Sequence, residues 1–100
     1  SEIEQRIGGR LVQDLLNVDY SLSIWNGGDE DELEKSSDAA AIYKALAASG
    51  EDEIFVYNKD GRVGWIRLVW GNDCDVISDY SIRLEALLAG ANALANELEG

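Results

Sequence analysis

Ile54-Phe55-Val56-Tyr57-Asn58-Lys59-Asp60-Gly61-Arg62-Val63-Gly64-Trp65-Ile66-Arg67-Leu68-Val69-Trp70 is the stretch that decides the fold. Two runs rich in β-branched and aromatic residues, the types that fit a pleated and packed surface, flank Asn58-Lys59-Asp60-Gly61. Asn and Asp can bond nearby backbone, and Gly61 accepts positive φ at no steric cost, so the four residues suit a tight reversing turn. The stretch predicts a β-hairpin with a bulge at Gly61. In its second strand Val63, Trp65, Arg67 and Val69 share one face, and Gly64, Ile66, Leu68 and Trp70 share the other. The second set is the core candidate, because Arg67 is costly to bury without a partner. Trp65 then lies on the open face beside the stem of Arg67, unless a loop or helix covers it.

Upstream, Ile3, Ile7, Leu11 and Leu15 recur every four residues, with Val12 and Leu16 widening the stripe, and predict a helix over 2–16. Gly8-Gly9 interrupts it, which implies a kink, a close approach to a neighbour, or a helix that starts after the pair. Val18 to Trp25 alternates as a half-buried strand, with Trp25 the large apolar residue on the polar face. Residues 26–35 read as a loop: Gly27-Gly28 ends the strand, and Asp29, Glu30, Asp31, Glu32 and Glu34 follow. Ser36-Ser37-Asp38 offers N-caps for a helix over 38–49, ended by Gly50.

Glu51-Asp52-Glu53 is a second acidic run that leads into the hairpin. Beyond the hairpin, Val76-Ile77 suggests a short strand and Ser78 or Asp79 a cap for the last helix. Leu84, Leu87, Leu88, Ala91, Leu94, Ala95 and Leu98 form that helix's apolar stripe. The expected fold is a single α+β domain over 1–100, in the order α-β-α-β-β-α. Its sheet would be largely antiparallel with three to four strands, and about three helices would pack mainly on one face.

Composition narrows the function. Twenty acidic against eight basic residues give a net charge of −12, beyond the magnitude of about 2–8 that solubility asks of a small domain. There is no His, which removes the commonest general base and metal ligand, and one Cys excludes an internal disulfide or a multi-Cys zinc site. Cys74 lies between Asp73 and Asp75, whose charges disfavour the thiolate, so it reads as inert. Asp73, Asp75 and Asp79 start like a calcium loop, but Ser78 stands where Gly belongs and Leu84 where the bidentate Glu belongs. Gly27-Gly28 precedes acids and so is no phosphate cradle. These absences point away from an enzyme, a metal or a cofactor. Eight dispersed basic residues argue against direct nucleic-acid binding, and the lack of a leader or long apolar run against a membrane, so the expected location is cytoplasmic.

Charge is then the functional signal, since an acidic domain can be steered onto a basic surface. In the first reading the protein is an acidic inhibitor or decoy, DNA-mimic-like, that docks on a basic nucleic-acid-handling protein. Its carboxylates Asp29, Glu30, Asp31, Glu32, Glu34, Glu51, Asp52, Glu53, Asp73, Asp75 and Asp79 would replace phosphates, and Trp25 and Trp65 would anchor it. In the second it is a structural or oligomerising module, such as a homodimer, whose acidity reflects its host or solubility. Arg62 to Ser81, RVGWIRLVWGNDCDVISDYS, followed by the Ala/Leu-rich last helix, resembles small uncharacterised bacterial and prophage proteins. The resemblance implies a mobile-element setting, where acidic anti-CRISPR and anti-restriction inhibitors act in the host cytoplasm; it transfers no functional residues.

Overall fold

The computed structural model describes residues 1–47 and 49–100. In chain order these form α1 (Glu2–Asn17), β1 (Ser21–Trp25), β2 (Leu33–Ser36), α2 (Ala39–Ala45), β3 (Glu51–Asn58), β4 (Gly61–Val69), β5 (Ile77–Tyr80), a 3₁₀ segment (Ile82–Leu88) and α3 (Ala89–Glu99). The strands make one sheet in the order β2-β1-β3-β4-β5, with every neighbouring pair antiparallel. The fold is α+β, with five strands where three to four were expected.

The hairpin forms as its residues dictate. Asn58 Oδ1 accepts the Asp60 N–H at 2.8 Å, and Gly61 takes a φ of 132°. Ile54 stands opposite Ile66 and Phe55 opposite Trp65. The bulge falls at Val63 instead of Gly61: Val56 pairs with Gly64 and Tyr57 with Arg62, so Val63 is the extra residue. An extra residue resets the alternation on its turn side. Arg62 is thereby brought to the face of Phe55 and Trp65.

The buried face of the sheet carries Leu22, Ile24, Ile54, Val56, Ile66 and Leu68, all fully buried. Ile7, Leu11, Val12 and Leu15 of α1, Ile42 and Ala45 of α2, Leu84 and Leu88 of the 3₁₀ segment and Ala91 of α3 complete the same core. All helical elements therefore lie on one side.

Gly8-Gly9 is a close approach, not a kink, and α1 runs unbroken through it. A Cβ on Gly8 would stand 3.0 Å from the Trp70 ring, and one on Gly9 3.9 Å from Tyr43. Gly64 serves Ser81 in the same way. The Ser81 hydroxyl accepts the Trp65 N–H at 2.9 Å, and a Cβ on Gly64 would meet that oxygen at 2.9 Å.

Boundaries elsewhere differ from expectation, and β1, expected from Val18, starts at Ser21 after Asp19 takes a left-handed φ of 63°. Residues 33–36 are an edge strand instead of loop, because Leu33 pairs with Ile24 and Ser36 with Leu22 while Lys35 donates its N–H to Ser23 Oγ at 2.9 Å. The helix expected over 38–49 keeps its Asp38 cap, bonded to the Ala40 N–H at 3.0 Å, but ends at Ala45; Ala48 lies outside the described residues. Ser78 and Asp79 belong to β5 and cap nothing; the last helical stretch opens after Ser81 as a 3₁₀ segment. No described helix is long and apolar enough to cross a membrane.

Candidate functional site

Strand alternation leaves the second sheet face to polar and aromatic residues. Register aligns Trp25, Glu53, Arg67 and Asp79 in one row across four strands, and Ser23, Phe55 and Trp65 in the next. Tyr57 and Arg62 stand opposite one another beyond them. Glu53, Phe55, Tyr57, Trp25 and Trp65 are half-buried, while Lys35, Arg62, Arg67 and Asp79 are exposed.

Cations and aromatic rings interleave on this face. The Arg62 guanidinium sits 4.2 Å from the centre of the Phe55 ring, and Lys35 Nζ 4.5 Å from that of Tyr57. Arg67 Nη2 donates to Glu53 Oε1 at 2.9 Å. That hydrogen bond, then the charges of Glu53, Glu51 and Asp79, push the Arg67 pKa above its usual range. Arg67 thus sits in a field of three carboxylates. A cleft of about 290 Å³ opens between Glu53, Phe55, Trp65, Arg67 and Asp79.

The acidic loop adjoins this row. Trp25 Nε1 donates to the Gly28 carbonyl at 2.7 Å, and the Glu32 N–H bonds the Ile24 carbonyl at 2.7 Å. Both contacts tie the loop to the end of β1, where Trp25 stands opposite Glu53. Asp29, Glu30, Asp31, Glu32, Glu34 and Glu51 are all exposed. Seven of the expected carboxylates, Asp29 to Glu32 with Glu51, Glu53 and Asp79, therefore belong to one end of the open face and its adjoining loop. Glu34 lies on the neighbouring edge strand.

Three expected contacts lie elsewhere. Asp52 faces the core and is fully buried, so it presents nothing to a partner. The alternation of Ile54 and Val56 extends back through it, which is the signal that sorts Asp52 from Glu51 and Glu53. Asp73 and Asp75 line a separate groove beside α3, with Cys74, Asn92, Asn96 and Glu99. There, burial and then the Glu99 and Asp73 charges push the Cys74 thiol up, keeping it protonated. The sequence reading did not single out Phe55, Tyr57, Lys35 or Arg62. The first two share the parity of Glu53, but Arg62 reaches this face only through the Val63 bulge.

Among the described residues, no group of three or more His, Cys, Asp or Glu side chains is placed to hold a metal ion. The arrangement is suited to recognition: exposed charge beside half-buried aromatic area on a rigid sheet. No protein-family model, no curated protein and no solved structure matches the chain.

Proposed function

We propose that the protein is an acidic protein-binding module, an inhibitor or decoy, that docks through its open sheet face on a basic nucleic-acid-handling protein. The observation that carries this reading is the gathering of Asp29 to Glu32, Glu51, Glu53 and Asp79 beside Trp25, Phe55 and Trp65, which occupy two adjacent rows of the open face. The acidic end supplies steering, and the three aromatics supply area that can be desolvated at the centre of an interface. The mixed charges of Arg67, Glu53 and Asp79 also suit a face that pairs with its own copy, which is the oligomerising alternative.

The test captures partners from a bacterial lysate at low and high salt. The wild-type protein is compared with the Asp29→Asn/Glu30→Gln/Asp31→Asn/Glu32→Gln variant. Support is one identified nucleic-acid-binding protein, displaced by duplex DNA, released by salt and lost in the variant. Each carboxylate that replaces a phosphate contact should steepen the salt dependence. Self-association that persists at high salt and in the variant would favour the oligomerising module instead.

A further inference from the structure

We infer that the cleft at Trp65 is a seat for an arginine side chain of the docking partner, stacked on the indole and paired with Asp79; the identity of its occupant rests on the docking reading above. Three observations on the open face converge on it. Phe55 and Tyr57 each carry a cation from their own chain, Arg62 at 4.2 Å and Lys35 at 4.5 Å from the ring centres. Trp65 has none over it among the described residues, although indole is the strongest of the three ring types for this contact.

Charge is left over at the same place. Arg67 stands opposite Asp79 on β5 but gives its ion pair to Glu53 on the other side, at 2.9 Å. Asp79 makes no ion pair among the described residues. Glu51, Glu53 and Asp79 outweigh Arg67 by a formal net charge of −2, so the cluster accommodates a further cation. The cleft of about 290 Å³ places Trp65 and Asp79 on its walls together.

A guanidinium fits this pairing better than an ammonium, because its plane stacks on the indole while its edge offers a fork to a carboxylate. The sheet holds both walls still. The Trp65 backbone N–H donates to Ser81 Oγ at 2.9 Å, which anchors the residue while leaving its indole N–H free of that bond, and Asp79 Oδ1 accepts the Tyr80 N–H at 2.9 Å.

The test titrates acetyl-Gly-Arg-Gly-amide into isotopically labelled protein and follows the three indole N–H signals. The Trp25 and Trp70 indoles are already hydrogen-bonded inside the chain, to Gly28 and Asp52. The Trp65 signal should shift saturably, with the lysine peptide weaker and the citrulline peptide, which keeps the shape without the charge, silent. Asp79→Asn should weaken binding by about three- to tenfold, and Trp65→Leu should abolish it. Asp79→Asn sits on an exposed edge strand and keeps the fold testable if Trp65→Leu perturbs it. The quadruple loop variant should retain most of the peptide shift.

Equal shifts for the arginine and lysine peptides, spread over residues 29–32 and insensitive to Asp79→Asn, would overturn the seat while leaving acidic docking intact. Peptide binding at Trp65 by a protein that captures no basic partner would uphold the seat and defeat the docking reading. No shift of the Trp65 signal at any peptide concentration would defeat the seat outright.

Discussion

Asp52 Oδ2 accepts the Trp70 indole N–H at 2.6 Å and the Ala47 amide N–H at 2.7 Å, inside the core. Its other oxygen, Oδ1, is buried without a partner among the described residues. One carboxylate thereby ties β3 to the end of α2 and to the ring that fills the space above Gly8. Burial raises its pKa above the ordinary 3.8, against the two hydrogen bonds, and the Glu32 charge adds to the rise.

The sign of the resulting pH dependence follows from linkage. The folded state holds the Asp52 proton more tightly than the unfolded chain, so this contribution is complete below the ordinary value and fades as pH rises through the folded pKa. Asp52→Asn keeps an acceptor for Trp70 and Ala47 but never ionises. Urea unfolding of both proteins, from about pH 3 to about pH 7, should show the variant gaining on the wild type as pH rises. A stability difference, variant minus wild type, that stays level or falls as pH rises would show that Asp52 is not the titrating group.

Gly64 and Gly90 should respond oppositely to alanine. A Cβ on Gly64 meets Ser81 Oγ at 2.9 Å and Leu84 Cδ1 at 3.0 Å, both held in place, so Gly64→Ala should cost about 1–3 kcal/mol of overpacking. A Cβ on Gly90 meets the ends of Arg10 and Asp14, 2.5 Å away, which are flexible and can swing aside. Their exposed ion pair is worth only about 0.3–0.5 kcal/mol, and alanine repays this in helix propensity, so Gly90→Ala should be neutral within about 0.5 kcal/mol. Thermal midpoints of the two variants decide it.

Ala47 adopts a φ of 62°, in the left-handed region, where it closes the turn after α2 and donates to Asp52. Ala47→Gly keeps the donor and removes the Cβ penalty of about 1–2 kcal/mol, part of which returns as unfolded-state entropy. The expected net gain is about 0.5–1 kcal/mol in chemical unfolding. A loss of stability would mean that the left-handed turn is not the one the protein populates.

Asp29, Glu30, Asp31 and Glu32 are exposed and adjacent in a chain of net charge −12. Neutralising all four should raise the thermal midpoint at low ionic strength, where like charges repel over long distances. The gain should shrink above about 0.15 M salt, where the screening length falls to about 8 Å. A gain independent of salt would mean that the effect is not electrostatic.

The hairpin, the α1 stripe and the two faces of β4 from Gly64 onward were legible in the sequence, because periodicity and turn chemistry are local properties of consecutive residues; Val63, expected beside Trp65, is the bulged residue and packs against the core. Ile66 and Leu68 alternate with Trp65 and Arg67 whatever the rest of the chain does, and burial follows from that parity. Edge strand β2 was not legible: Leu33 to Ser36 is short and charged, and it becomes a strand only because β1 offers it partners. The fate of the carboxylates divides along the same line. Their number and the charge they sum to belong to the sequence alone. Tertiary structure decided that Asp52 is sealed under Trp70, that Asp73 and Asp75 turn toward α3, and that a one-residue bulge at Val63 brings Arg62 over Phe55. Local pattern specifies which face a residue takes within its own strand, whereas the neighbours on that face are set by register and packing between segments far apart in the chain.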